Sequence, residues 1–175
     1  DIEIAIDKIL HLSARIASTA RDVLPEERVL TDLASTAGQV IALSRKHPDV
    51  KRSSVLVPEQ AGINATINPT LFEEALLNLI LNAAQAAGEG GTVEVRIAQE
   101  KDHAIVEVHD SGPGVPDEIK GRIFDPCFTT KPRSTGVGLL AVKTFGAAHG
   151  GEIRVEKSNW GGALFTLRFP VRPQK

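Results

Sequence analysis

Cysteine occurs once in 175 residues, at Cys127. A lone cysteine excludes an internal disulfide and a cysteine-cluster metal site, which is in keeping with a reducing compartment. No apolar run approaches the roughly 20 residues that a membrane-spanning helix needs. Charge of one sign is missing too: 20 basic residues stand against 22 acidic ones, for a formal net charge of -2. No overall field therefore draws the chain to nucleic acid or anionic lipid, and any polyanion it holds must be gripped locally. Internal repeats and low-complexity tracts are absent from the sequence, which starts at Asp1 with no initiator methionine and no signal-like segment. The chain is therefore expected to be a piece of a longer polypeptide.

What is present is ordinary globular composition, 42% hydrophobic and 24% charged, enough for one sizeable core plus a short helical appendage. Ile2, Ile6, Ile9, Ser13, Ile16, Ala20 and Val23 recur at alternating steps of four and three, a heptad seam on one helix over 1–24 that needs a partner. Pro25 breaks it. A second amphipathic stretch runs from about Thr31 to Lys46, opened by the capping candidates Thr31 and Asp32 and stopped before Pro48. Residues 51–57 alternate loosely as a strand. Asn68-Pro69 reads as an N-cap followed by proline in the first turn, opening an apolar helix from 70 to about 87 that stops at Gly88. Period-two stretches at 92–98 and 104–109, joined by Glu100-Lys101-Asp102, read as an antiparallel hairpin. A short helix near 116–122, an irregular region over 124–138, a helix from Leu139 to Ala148, and strands at 152–157 and 163–169 complete the chain. The expected class is α+β, a two-layer sandwich of a mixed, largely antiparallel sheet with helices on one face, preceded by a helical segment.

Three clusters carry chemistry. Asn78 and Asn82 lie four residues apart on one side of a helix otherwise built of Leu, Ile and Ala. They read either as a satisfied structural amide pair or as a source of a hard oxygen ligand for Mg²⁺. Asp110-Ser111-Gly112-Pro113-Gly114 follows a strand directly; it is a turn by composition, or a carboxylate that accepts from the adenine amine while glycine lets backbone approach the base. Ser134-Thr135-Gly136-Val137-Gly138-Leu139-Leu140 leads into a helix whose free N–H groups suit an anion, with Lys131 and Arg133 nearby. It is neither a Walker loop, lacking Gly-Lys-Ser/Thr, nor the dinucleotide fingerprint.

In order and spacing, with Ile123-Phe124-Asp125-Pro126-Cys127-Phe128-Thr129-Thr130-Lys131 between the second and third, these clusters resemble the catalytic and ATP-binding domain of sensor histidine kinases. That family belongs to the Bergerat-fold group with gyrase and the heat-shock chaperones. Asn78 to Ala83 looks like its N box, Asp110 to Gly114 its G1 box, Phe124 to Lys131 its F box and Gly136 to Leu140 its G2 box, and Phe128-Thr129-Thr130-Lys131 looks like the nitrogen-regulation branch. The resemblance covers about 65–170. It implies ATP or ADP and Mg²⁺ as cofactors, with Asn82 as metal ligand and Asn78 beside it, Asp110 on adenine, Gly112 and Gly114 against the base, and a mobile lid over 129–138. Thr129, Thr130, Lys131, Thr135, Gly136, Val137, Gly138 and Leu139 then lie along the nucleotide, with Lys131 the lid cation and Phe124 and Phe128 packing the lid down. Cys127, Ser134, Gln85 and Ala86 depart from the residues common at those places.

In hydrolytic and serine-kinase relatives a glutamate stands where Asn78 stands here. An amide takes no proton at neutral pH, so the implied reaction is phosphoryl transfer to a nucleophile that needs little help, a neutral imidazole. Glu74, one turn earlier, is either a displaced base or a helix-surface residue. None of the five histidines begins the family's acceptor motif: Leu12 follows His11, Pro48 follows His47, and His103, His109 and His149 fall in the ATP-binding part. The expected organisation is the second helix of a truncated dimerisation hairpin at 1–24, a connecting helical segment at 25–50, the catalytic domain at 51–170 and a tail at 171–175. The implied partners are the upstream acceptor hairpin, in a homodimeric parent, and a response-regulator receiver domain, with no direct nucleic-acid binding and a cytoplasmic location for the domain. A protein-serine kinase of the anti-sigma type and a degenerate nucleotide-binding interaction module are the alternatives.

Overall fold

A computed structural model describes residues 27–56, 62–125, 128–129, 136 and 138–173. The heptad helix expected over 1–24 lies outside the described residues. The elements run β1 (Val29–Asp32), α1 (Leu33–Ser44), α2 (Pro48–Lys51), β2 (Ser54–Leu56), β3 (Asn64–Ile67), α3 (Pro69–Ala87), β4 (Thr92–Glu100), β5 (His103–Asp110), α4 (Asp117–Lys120), α5 (Gly138–Ala148), β6 (Glu152–Lys157) and β7 (Ala163–Pro170).

A five-stranded sheet in the order β2-β4-β5-β7-β6 forms one layer. Only the β2–β4 pairing is parallel, and β5 and β7 occupy its middle. Alternation explains the layering: Ala163, Phe165, Leu167 and Phe169 of β7 and Ala104, Val106 and Val108 of β5 point inward and are buried. Glu94, Arg96, Glu107, Arg154 and their neighbours occupy the intervening positions on the outer face. Against the inner face lie α3 and α5, and α1 packs in turn on α3.

Helix α3 starts where local chemistry says it must. The Asn68 side chain accepts from the Leu71 N–H at 3.1 Å, and Pro69 fills the first turn, where its missing N–H costs nothing. The helix ends at Gly88, whose φ of 71° few side chains tolerate. Its buried stripe, which includes Phe72, Leu76, Leu79, Ile80 and Ala83, meets a cluster of aromatic rings. The Phe145 centroid lies 5.7 Å from Phe72 and 5.1 Å, edge-on, from Phe169. Each ring is fully buried, a gain of about 1.5–3 kcal/mol per side chain before pairing is counted. His149 closes this corner. Its ring stacks on Phe145 at 4.2 Å, Nδ1 lies 2.8 Å from the Phe145 carbonyl, and Nε2 accepts from the Asn68 N–H at 3.0 Å. That pattern requires the Nδ1–H tautomer and ties the start of α3 to the end of α5.

Two strands were not expected from sequence. β1 pairs antiparallel with β3, Val29 facing Ile67 and Asp32 facing Asn64. β3 continues into the main body through a hydrogen bond from the Thr66 N–H to the Val171 carbonyl. Asp32 caps α1 by accepting from the Ser35 N–H, as its place before the periodic stretch suggested, and Leu33, Ala37, Val40 and Ile41 enter the same core as α3. The strand expected over 51–57 starts only at Ser54, because Pro48 nucleates a turn of helix through Lys51. Among the described residues no helix is long and apolar enough to cross a membrane.

Candidate nucleotide site

Asp110 continues the inward alternation of β5, taking the position after Val106 and Val108 where an apolar residue would complete the core. It is 1% exposed, so the carboxylate must be held by the protein. Oδ1 accepts from the Gly112 N–H at 2.8 Å and from the Ala163 N–H at 3.2 Å. The strand end is fixed as well, with the Thr92 N–H donating to Ser111 Oγ at 2.9 Å. The carboxylate is thereby oriented by backbone on both sides. Gly112 is needed for space: a Cβ there would come within 2.6 Å of the Ala86 carbonyl.

Asn78, Leu81, Asn82 and Gln85 follow helical spacing on α3 and form a stripe beside its buried face. Asn78 Nδ2 donates to the Glu74 carbonyl at 2.9 Å, which fixes the amide so that Oδ1 is aimed at the start of α5. A Cβ at Gly138 would lie only 2.9 Å from that oxygen. Glycine at 138 thus lets α5 begin against Asn78, with the helix N-terminus beside the asparagine stripe.

These pieces surround one cavity of about 460 Å³, within the roughly 300–1,000 Å³ usual for small-ligand sites. Asn78, Asn82, Asp110 and Gly114 line it, and so do Thr129, Gly136, Gly138 and Leu139. Gly112 stands behind, against Asp110. Of the residues expected at the site, Thr130, Lys131, Thr135 and Val137 lie outside the described residues, as do Cys127 and Ser134. Glu74 lies one turn beyond the stripe and does not line the cavity. Asp110 is the only carboxylate lining it among the described residues.

The two ends differ in chemistry. A buried carboxylate repels phosphate but accepts from an amine, so the Asp110 end suits a base. The opposite end has the N-terminus of α5, whose N–H groups and helix dipole attract anions. Between them the Asn82 side chain offers a neutral oxygen. Among the described residues no group of three or more His, Cys, Asp or Glu could hold a metal by itself. A single amide ligand fits Mg²⁺, which shares its octahedron with phosphate oxygens and water.

Sequence reasoning gave Phe128 a packing role but missed the rest of the apolar wall. Val115, Ile119, Ile123, Phe128 and Phe165 line the cavity and give a base something to lie on. The period-two pattern of β7 already marked Phe165 as inward, whereas the loop residues carry no periodicity. Phe124 packs edge-on against Phe165 at 6.3 Å and Phe128 lies under the Arg122 guanidinium at 4.9 Å, so both rings are packed against neighbouring side chains. Also missed were Gly162 and Ala163, which close the back of Asp110: the Gly162 N–H donates to the Asp110 carbonyl at 3.2 Å. Three of the four described histidines make structural contacts. His149 is in the core, His109 lies 3.3 Å from Ser158 Oγ, and His47 caps α2 by accepting from the Asp49 N–H; none lines the cavity.

Comparison with known proteins agrees with this geometry. A family model described as histidine kinase-, DNA gyrase B-, and HSP90-like ATPase matches residues 67–173. The chain is 31% identical over 173 residues to the signal transduction histidine-protein kinase AfsQ2 of Streptomyces coelicolor, an alignment covering 96% of this chain and 30% of that protein. It is 42% identical over 106 residues to the sensor histidine kinase ZraS of Salmonella typhimurium, covering 59% of this chain and 23% of the relative. The solved catalytic domain of histidine kinase ThkA superposes with a TM-score of 0.76 at 28% identity, over 84% of this chain and 97% of that one. The chain thus spans less than a third of the length of either curated relative.

Proposed function

Because the chain belongs to the histidine kinase-, DNA gyrase B- and HSP90-like ATPases and has the fold of a histidine kinase catalytic domain, we propose that it is the phosphoryl donor of a two-component sensor kinase. It holds ATP with the adenine at Asp110 and the phosphates at the start of α5. Asn82 would ligate Mg²⁺, which neutralises phosphate charge as the γ-phosphoryl group leaves. The group passes to a histidine of a helical hairpin in the longer protein and then to an aspartate of a response-regulator receiver domain. A cytoplasmic location for this domain belongs to the same proposal, and the Phe128-Thr129-Thr130-Lys131 wording supports a place in the nitrogen-regulation branch.

One observation carries the choice of reaction. The cavity wall beside Asn82 offers Asn78, and the amide is oriented by its bond to the Glu74 carbonyl, so among the described residues no carboxylate stands there to deprotonate water or a hydroxyl. A neutral imidazole needs no such base. The same observation disfavours a protein-serine kinase.

The test supplies the parent's helical hairpin in trans with radiolabelled ATP. Acid-labile, base-stable label should appear on the hairpin histidine and none on the 175-residue chain alone. Label on this chain that disappears when His11 is replaced overturns the assignment.

A further inference from the structure

We propose that Gly162 is the positioning residue of the base pocket: by having no side chain it lets the turn between β6 and β7 close on Asp110 and hold the carboxylate in its base-reading orientation. The proposal rests on the reading of the cavity as an adenine nucleotide site and adds what makes that site choose its base.

Glycine at 162 is not demanded by its own backbone. Positive φ occurs at Gly161, at 97°, and at Gly114, at 79°, but not at Gly162. What demands it is space. A Cβ at 162 would overlap Asp110 Oδ1 and come within 2.5 Å of both the Asp110 carbonyl oxygen and the Gly112 nitrogen. The carboxylate cannot simply swing clear, since Oδ1 is held by the Gly112 and Ala163 N–H groups, and the other two atoms are backbone. Any side chain at 162 therefore either parts β7 from β5 at this end or rotates Asp110 away from its two donors. Both move the base acceptor. The Gly162 carbonyl lies against Gly114 on the far side, 3.4 Å from where a Cβ there would stand, so the three glycines form one cradle.

The turn is itself anchored on the outer face. The Ser158 N–H donates to the Gly162 carbonyl at 2.8 Å and the Trp160 N–H to Ser158 Oγ at 3.0 Å. The Trp160 indole N–H donates to Glu94 Oε2 at 2.8 Å, strapping the turn to β4. Position 162 is thus fixed from outside the cavity, and the carboxylate is placed from position 162.

The experiment titrates the 175-residue chain with ADP and with inosine diphosphate, which presents a carbonyl where adenine presents its amine. Wild type should prefer ADP by about tenfold or more, the range for a hydrogen bond to a charged acceptor. Gly162→Ala should lose about tenfold on ADP and little on the inosine nucleotide, so that the preference collapses. Gly150→Ala, a strained position with open space around it, should lower the melting temperature and leave the preference intact. Retention of the full preference by folded Gly162→Ala, or its loss in Gly150→Ala, overturns the proposal. Should Gly162→Ala not fold, Trp160→Phe decides: it removes the indole N–H together with part of the ring at a half-exposed site, and a preference equal to wild type counts against the proposal. If wild type itself makes no distinction, the assignment of Asp110 to adenine fails first.

Discussion

Replacing Asp110 separates two jobs that the carboxylate does at once. Oδ1 takes the Gly112 and Ala163 N–H groups at 2.8 and 3.2 Å, and the second oxygen is the one a base amine would address. Asp110→Asn keeps a carbonyl oxygen for both N–H groups but turns an amide donor toward the base. Stability should change by less than about 1 kcal/mol, while ADP loses its charge-assisted bond and meets a donor instead. A loss of about 1.5–3 kcal/mol corresponds to roughly 10- to 150-fold in affinity. The same amide suits the carbonyl of hypoxanthine, so the variant should bind inosine diphosphate at least as well as ADP. Asp110→Ala strands the buried Ala163 donor, at about 1–3 kcal/mol, and the part-buried Gly112 donor, and should lose stability as well as affinity. Calorimetric titration with both nucleotides, set beside urea unfolding, reads the two effects independently. An Asn variant that keeps wild-type ADP affinity, or an Ala variant as stable as wild type, would refute this account of the site.

Three further outcomes follow from the geometry. Asn82→Ala should leave ADP binding without Mg²⁺ within about twofold and abolish most of the gain on adding Mg²⁺; titrations with and without the ion check it. His149→Leu leaves the Asn68 N–H without its Nε2 acceptor and should cost about 1–3 kcal/mol in urea unfolding, with nucleotide affinity of the folded form unchanged. Burial raises the Glu94 pKa, but hydrogen bonds from Arg96 and Trp160 outweigh it and hold the carboxyl below its ordinary value. The folded-state value being depressed, the stabilisation is fully present at neutral pH and is lost as the pH falls below about 4. Trp160 is the sole tryptophan, and there is no tyrosine, so its fluorescence should shift in that window and Glu94→Gln should remove the shift.

Local signals made much of this legible beforehand. Asn68-Pro69 and Gly88 bracket α3 as sequence chemistry requires, and the alternation of β4, β5 and β7 fixed which residues face the core. The four motifs converge on one cavity although about sixty residues separate Asn78 from Gly138, because α3 and α5 lie side by side on the same sheet. Elements whose partners lie far away in sequence were not legible. β1 and β3 have four residues each, too few to display a period, and what makes them strands is each other across some thirty residues. Gly162 looked like one of several turn glycines until Asp110 was seen behind it.

The hydrogen bond from the Arg28 guanidinium to the Ala148 carbonyl, 2.6 Å long, has a mechanical meaning. It fastens the chain just before β1 to the last turn of α5, where a cation also suits the exposed carbonyls. The other end of that helix, roughly 16 Å away at 1.5 Å per residue, abuts the asparagine stripe and the phosphate end of the cavity. α5 therefore ties the entry to β1 to the wall of the cavity: the two ends of one helix carry the Arg28 anchor and Gly138 and Leu139 of the site.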